Sequence, residues 1–101
     1  MKLMTKELER LIPKLYEEED TLPADKMIYT HYFHPYGKGD WWVAEYDPIE
    51  RLCFGYASIQ EGEWGYFSLD ELESLKGFGG INLIERDLSW KPIKFGEIKH
   101  E

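Results

Sequence analysis

The sequence predicts an α+β fold: an antiparallel β-meander of about four to five strands, with an N-terminal helix and a second helix near residues 69–76. Three observations carry that expectation. Apolar residues near the N-terminus recur at helical spacing, and 12 of the 16 aromatics fall between Tyr29 and Phe67 among short turn signals. The run Ser68-Leu69-Asp70-Glu71 reads as a helix start. With 101 residues, 43% of them hydrophobic, the chain can build one core, so a single domain over 1–101 is expected.

Taken in order, Met4, Leu8, Leu11, Ile12 and Leu15 form the stripe of an amphipathic helix. Thr5 suits its N-cap, and Glu7 and Glu9 suit the positive end of its dipole. Pro13 removes a backbone donor and crowds the carbonyl of Glu9, so the helix must kink there or restart. The acidic run Glu17-Glu18-Glu19-Asp20 has no apolar partner and leads into a solvated loop ending near Pro23.

Strands are expected at about 26–34, 40–47, 51–60 and 63–67. Their connections are short enough to join antiparallel neighbours. Ser68 and Glu71 match a capping box, and Phe67 and Leu72 match the accompanying hydrophobic staple. Gly77 is read as a left-handed helix stop. Residues 83–90 alternate as in a half-buried strand, and Pro92 suits its end or a sheet edge. The helices would pack on one face of the sheet.

Charge excludes one class of partner. The net charge is −8, from 20 acidic and 12 basic residues, and no segment is basic. Binding a nucleic-acid backbone directly needs clustered Lys and Arg, so none is expected. Cys53 is the one cysteine, which rules out a disulfide within the chain. No apolar stretch resembles a signal peptide or spans a bilayer, so no membrane association and a cytoplasmic location are expected.

The chemistry-bearing residues are few. His31 and His34 lie three apart, which on a strand places them on opposite faces, and His100 is near the terminus; no metal site and no cofactor are expected. Cys53, flanked by Leu52 and Phe54, reads as a core thiol. Gly77-Phe78-Gly79-Gly80 follows a helix rather than preceding one and lacks the Lys-Ser/Thr companion of a phosphate cradle. Glu45, Asp47, Glu85 and Asp87, with Arg86, form the one polar set that neighbouring strands could bring together around Mg²⁺. Against that stands a solvated strand face. Trp41, Trp42, Tyr46 and Trp64 are the interface candidates, because Trp41 and Trp42 must point to opposite sides of a strand and one of them can lie outside the main core.

Several of these segments also resemble a family. Trp42-Val43-Ala44-Glu45-Tyr46-Asp47 and Phe54-Gly55-Tyr56-Ala57 look like its centre, and Glu63 to Glu73 resembles its "GYFSL-x-ELE" segment. Ile84-Glu85-Arg86-Asp87-Leu88 with Lys91-Pro92 resembles its ending, and Met1 to Leu15 its opening helix. The family is domain of unknown function 2958. The chain departs from it at Gly77 to Leu83, where a proline-containing "GPLGLP"-like stretch is replaced. The resemblance implies an uncharacterised bacterial protein of plasmids, phages or other mobile elements, often encoded near anti-restriction genes, and it transfers no catalytic residue.

The function expected is therefore a non-enzymatic, protein-binding accessory protein of a mobile element, with counter-defence as one version. Two alternatives remain: a small Mg²⁺-dependent hydrolase or nuclease using the paired carboxylates, and an acidic inhibitor that mimics DNA. A homodimer formed across an exposed sheet edge is a further expectation.

Overall fold

The structure, a computed structural model, describes residues 2–98. The chain runs through helix α1 (Lys6–Leu11), strands β1 (Met27–Ile28), β2 (Thr30–Phe33), β3 (Asp40–Asp47), β4 (Leu52–Ser58) and β5 (Gly62–Ser68), helix α2 (Leu69–Ser74), and short strands β6 (Glu85–Arg86) and β7 (Ile93–Lys94). Five strands form an antiparallel sheet in the order β5-β4-β3-β2-β6, and β1 pairs with β7 in a separate two-stranded ribbon. The α+β meander expected from the sequence is thus present.

Strand β3 is central and covered on both sides. Trp41, Val43 and Tyr46 belong to one cluster, with Tyr32, Cys53, Leu3, Ile12, Leu69 and Leu72. Trp42 and Ala44 belong to a second, with Ile28 and flanking Tyr56, Trp64, Trp90 and Phe95. Leu8 of α1 and Leu69 and Leu72 of α2 pack against the first cluster, so the helices share one face as expected. The C-terminal segment covers the other.

A bulge makes this possible. The register slips between Val43 and Glu45, which leaves Ala44 as an extra residue opposite β4. Without it, strict alternation would turn Glu45 into the first cluster and Tyr46 out of it. Directly opposite, Gly55 pairs with Val43, and a Cβ on Gly55 would lie 1.8 Å from the Trp42 carbonyl oxygen. Only glycine lets the two backbones approach this closely.

Several boundaries differ from expectation. Helix α1 ends at Leu11, and the chain is already extended at Ile12, so Pro13 neither kinks the helix nor restarts it. The expected strand 26–34 is interrupted at Tyr29, and its halves join different sheets. Ser68 caps α2 by accepting from the Glu71 N–H at 3.2 Å, and Phe67 packs on the cluster that holds Leu72. The left-handed stop at Gly77 is a correction: Gly77 has φ −94°, whereas Gly79 and Gly80 have φ of 75° and 78° and supply the reversal. The strand expected at 83–90 shrinks to Glu85–Arg86. The Asp87 side chain accepts from the Ser89 backbone N–H and hydroxyl, which turns the chain before Trp90.

Gly55→Ala should therefore destabilise the protein by about 3 kcal/mol, the upper end of overpacking costs, read as a lowered denaturant midpoint. Gly65→Ala, where a Cβ would meet nothing within 4 Å, should change stability by less than about 0.5 kcal/mol.

Candidate functional site

The carboxylates singled out in the sequence do not converge. Glu45 and Asp47 sit at one end of β3, while Glu85 pairs with Phe33 at the other end of the sheet, and β2 lies between β3 and β6. Glu45 is only 3% exposed, and its carboxylate accepts backbone N–H groups of Tyr16 at 3.1 Å and Glu18 at 2.7 Å. Its oxygens are spent on holding the segment after Pro13, whose carbonyl accepts from the Tyr46 N–H at 2.9 Å. The acidic run is solvated as expected, with Glu17, Glu19 and Asp20 exposed, but Glu45 fixes its backbone as a turn. The Lys26 ammonium, also buried, donates to the Glu18 carbonyl at 2.6 Å and stands 5.7 Å from the Phe54 ring centroid. Asp47 accepts from the Ile49 N–H in the β3–β4 turn. Among the described residues no group of three or more His, Cys, Asp or Glu side chains is placed to hold a metal ion.

The interface candidates on β3 are buried as well. Trp41 is 6% exposed and Trp42 5%, on opposite faces, and Tyr46 lies in the first cluster. The physical reason is that β3 is central, so neither face is left for a partner. Trp42 does lie outside the main cluster. Trp64 is half-buried on β5, stacked on Phe54 and packed edge-on to Phe95.

Cys53 is fully buried, and burial pushes its thiol up to about 12, which keeps it in the inert neutral form. His34 lies beyond the end of β2, and its ring accepts from the Tyr36 N–H. His100 is outside the described residues. Gly77 to Gly80 form a turn that presents Phe78, 99% exposed, to solvent.

One constellation was not foreseen. His31 lies between two carboxylates: Nε2 is 2.7 Å from Asp40 and Nδ1 3.3 Å from Asp87. Its ring stacks on Trp42 at 5.2 Å between centroids and lies against Phe33 and Trp90. Both nitrogens can donate at once only in the imidazolium form. Burial raises the Asp87 carboxyl, but hydrogen bonds from Ser89 and His31 outweigh it and hold the group below its ordinary value. His31 thus joins β2, the start of β3 and the turn after β6. The contacts spend both ring nitrogens, so this is a clamp rather than an open catalytic base.

Beside the clamp runs a groove of about 380 Å³ between α1 and the chain after β6. Leu8 and Leu11 form one bank, Leu88 and Trp90 the other, and Arg86 and Asp87 supply polar groups. Leu11 is 51% exposed and Leu88 70%. The Trp90 indole N–H donates to the Ile28 carbonyl at 3.0 Å, which fixes that wall. The sequence assigned Leu11 to a buried stripe. Because α1 stops at Leu11, that side chain ends on the rim instead.

A family model described as "Protein of unknown function (DUF2958)" matches residues 3–95, nearly the whole chain, and the chain belongs to that family. No solved structure matches it.

The depressed Asp87 carboxyl fixes the sign of one pH effect. Its contribution to stability is present above the ordinary carboxylate range near pH 4 and is lost as pH falls through its lower folded value. Asp87→Asn should therefore be less stable than the wild type at pH 7, by about 1–2 kcal/mol. It should also lose less stability on acidification, as measured by chemical denaturation at pH 7, 5 and 3.

Proposed function

We propose that this DUF2958 family member is a non-enzymatic protein-binding module whose contact surface is the groove between α1 and the turn after β6. The observation that carries the reading is the pair of exposed leucines, Leu11 and Leu88, on opposite banks of a groove walled by Leu8 and Trp90. Exposed apolar side chains around a concave surface offer more to a partner than the same residues scattered singly. Arg86 and Asp87 add the few polar groups that orient a ligand segment.

Two further features support binding over catalysis. Cys53 is sealed and protonated, and Glu45, the most buried of the candidate carboxylates, is committed to backbone N–H groups. The reading takes the chain as one domain working in a reducing cytoplasm, where a lone free thiol is ordinary. An accessory role on a plasmid, phage or other mobile element, with a host defence protein as target, belongs to the same proposal. No helix among the described residues is long and apolar enough to cross a membrane.

Leu11→Asp with Leu88→Asp tests it, since both positions are exposed and the fold should tolerate the change. The expected result is a partner captured by the tagged wild type from a lysate of the source organism, retained in high salt and lost by at least tenfold with the double variant. Capture released by salt and unaffected by the double variant would contradict the groove and point to the acidic surface.

A further inference from the structure

Strand β5 ends the five-stranded sheet. It is seven residues long and pairs with β4 in unbroken register from Gly62 to Ser68. An outer strand of that length exposes a row of backbone N–H and C=O groups, and proteins usually protect such an edge. The usual devices are a bulge, a proline, a lysine or a very short strand. The opposite edge uses the last of these, since β6 has two residues and the chain turns away through Asp87 and Ser89. β5 has no bulge, proline or lysine and is not short: its sequence is Gly-Glu-Trp-Gly-Tyr-Phe-Ser, with the single charge of Glu63 as its one protective residue.

We propose that β5 is the interface of a homodimer, in which a second copy of this chain adds its own β5 antiparallel across the open edge and extends the sheet through both subunits. The sequence of β5 is complementary to itself about its middle residue. A two-fold axis through Gly65 uses all seven residues and sets Trp64 opposite the partner's Tyr66, Glu63 opposite the partner's Phe67, and Gly62 opposite the partner's Ser68. Trp64 and Tyr66 lie on one face of the strand and Glu63 and Phe67 on the other, so each pair meets on its own side. Two Trp–Tyr pairs flank the axis, the kind of cross-strand contact that stabilises antiparallel sheets.

Charge and pairing length favour the same register. Centring the axis on Glu63 would set like charges face to face, and centring it on Trp64 or Tyr66 would leave two of the seven residues of the strand outside the pairing. Gly65 is not in a left-handed conformation, and a Cβ there would meet nothing within 4 Å, so no turn and no packing inside the subunit calls for glycine. Tyr66 is 52% exposed, so its ring is accessible beside the outer strand. The two chains each carry −8, so their long-range repulsion opposes association and added salt should strengthen it.

The test uses the full chain and a single engineered cysteine. Cross-strand residues at a two-fold axis have Cα atoms about 4.5–5.5 Å apart, within reach of a disulfide. Cys53 is fully buried and stays silent in the folded protein. Sedimentation of the wild type should show a concentration-dependent rise from 12.0 kDa to twice that mass, stronger at higher salt. Gly65→Cys, folded by circular dichroism, should cross-link under mild oxidation at least tenfold faster than Glu63→Cys, whose partner in this register is Phe67. A wild type that stays at 12.0 kDa throughout would overturn the proposal. So would a dimer in which Gly65→Cys cross-links no faster than Glu63→Cys, because the contact would then lie elsewhere.

Discussion

Everything in this fold is organised by one strand that has no solvent face. β3 is buried from Trp41 to Tyr46, and its side chains feed two hydrophobic clusters on opposite sides of the sheet. Burying a strand on both faces normally calls for a continuous apolar run. β3 instead carries a glutamate, and the bulge at Ala44 reconciles the two by switching the facing of the residues after it. Tyr46 then enters the first cluster, and Glu45 emerges on the second face, where backbone donors are waiting. A buried carboxylate without partners would cost several kcal/mol, so the segment carrying Tyr16 and Glu18 and the strand carrying Glu45 specify one another.

The consequence for function is a division of labour. Most of the aromatic residues are consumed in covering β3, and the His31 clamp, with Asp40, Asp87 and Trp90, secures the C-terminal half to the same sheet. Apolar side chains that stay accessible lie at the periphery, among them Leu11 and Leu88 on the rim of the groove and Tyr66 along the outer strand. A central strand closed on both sides leaves binding to the periphery, where short elements end early and an edge stays open.

The sequence was most legible where the signal is local. The Ser68 cap and the strands 40–47 and 63–67 follow from residues within a few positions of one another, and they stand nearly as read. It was least legible where distant partners decide. The bulge depends on Gly55 lying across the ladder from Val43, and the role of Glu45 depends on N–H groups some thirty residues earlier. The alternation at 83–90 resembles a strand, yet Asp87 hydrogen-bonds Ser89 and turns the chain, a competition between side chain and ladder that periodicity does not see. The prospect of a carboxylate cluster failed for a topological reason: β2 is inserted between β3 and β6. His31 carried a faint signal, a histidine within an aromatic-rich strand, but its two aspartates come from 9 and 56 residues away.

The most direct test of this account is amide hydrogen exchange at Tyr16 and Glu18, compared between the wild type and Glu45→Ala. If Glu45 pins that segment to β3, both amides are protected in the wild type and exchange at least tenfold faster in the variant, while the β3–β4 ladder amides stay protected. Free exchange at Tyr16 and Glu18 in the wild type would contradict it, because the glutamate would then be buried for no structural return.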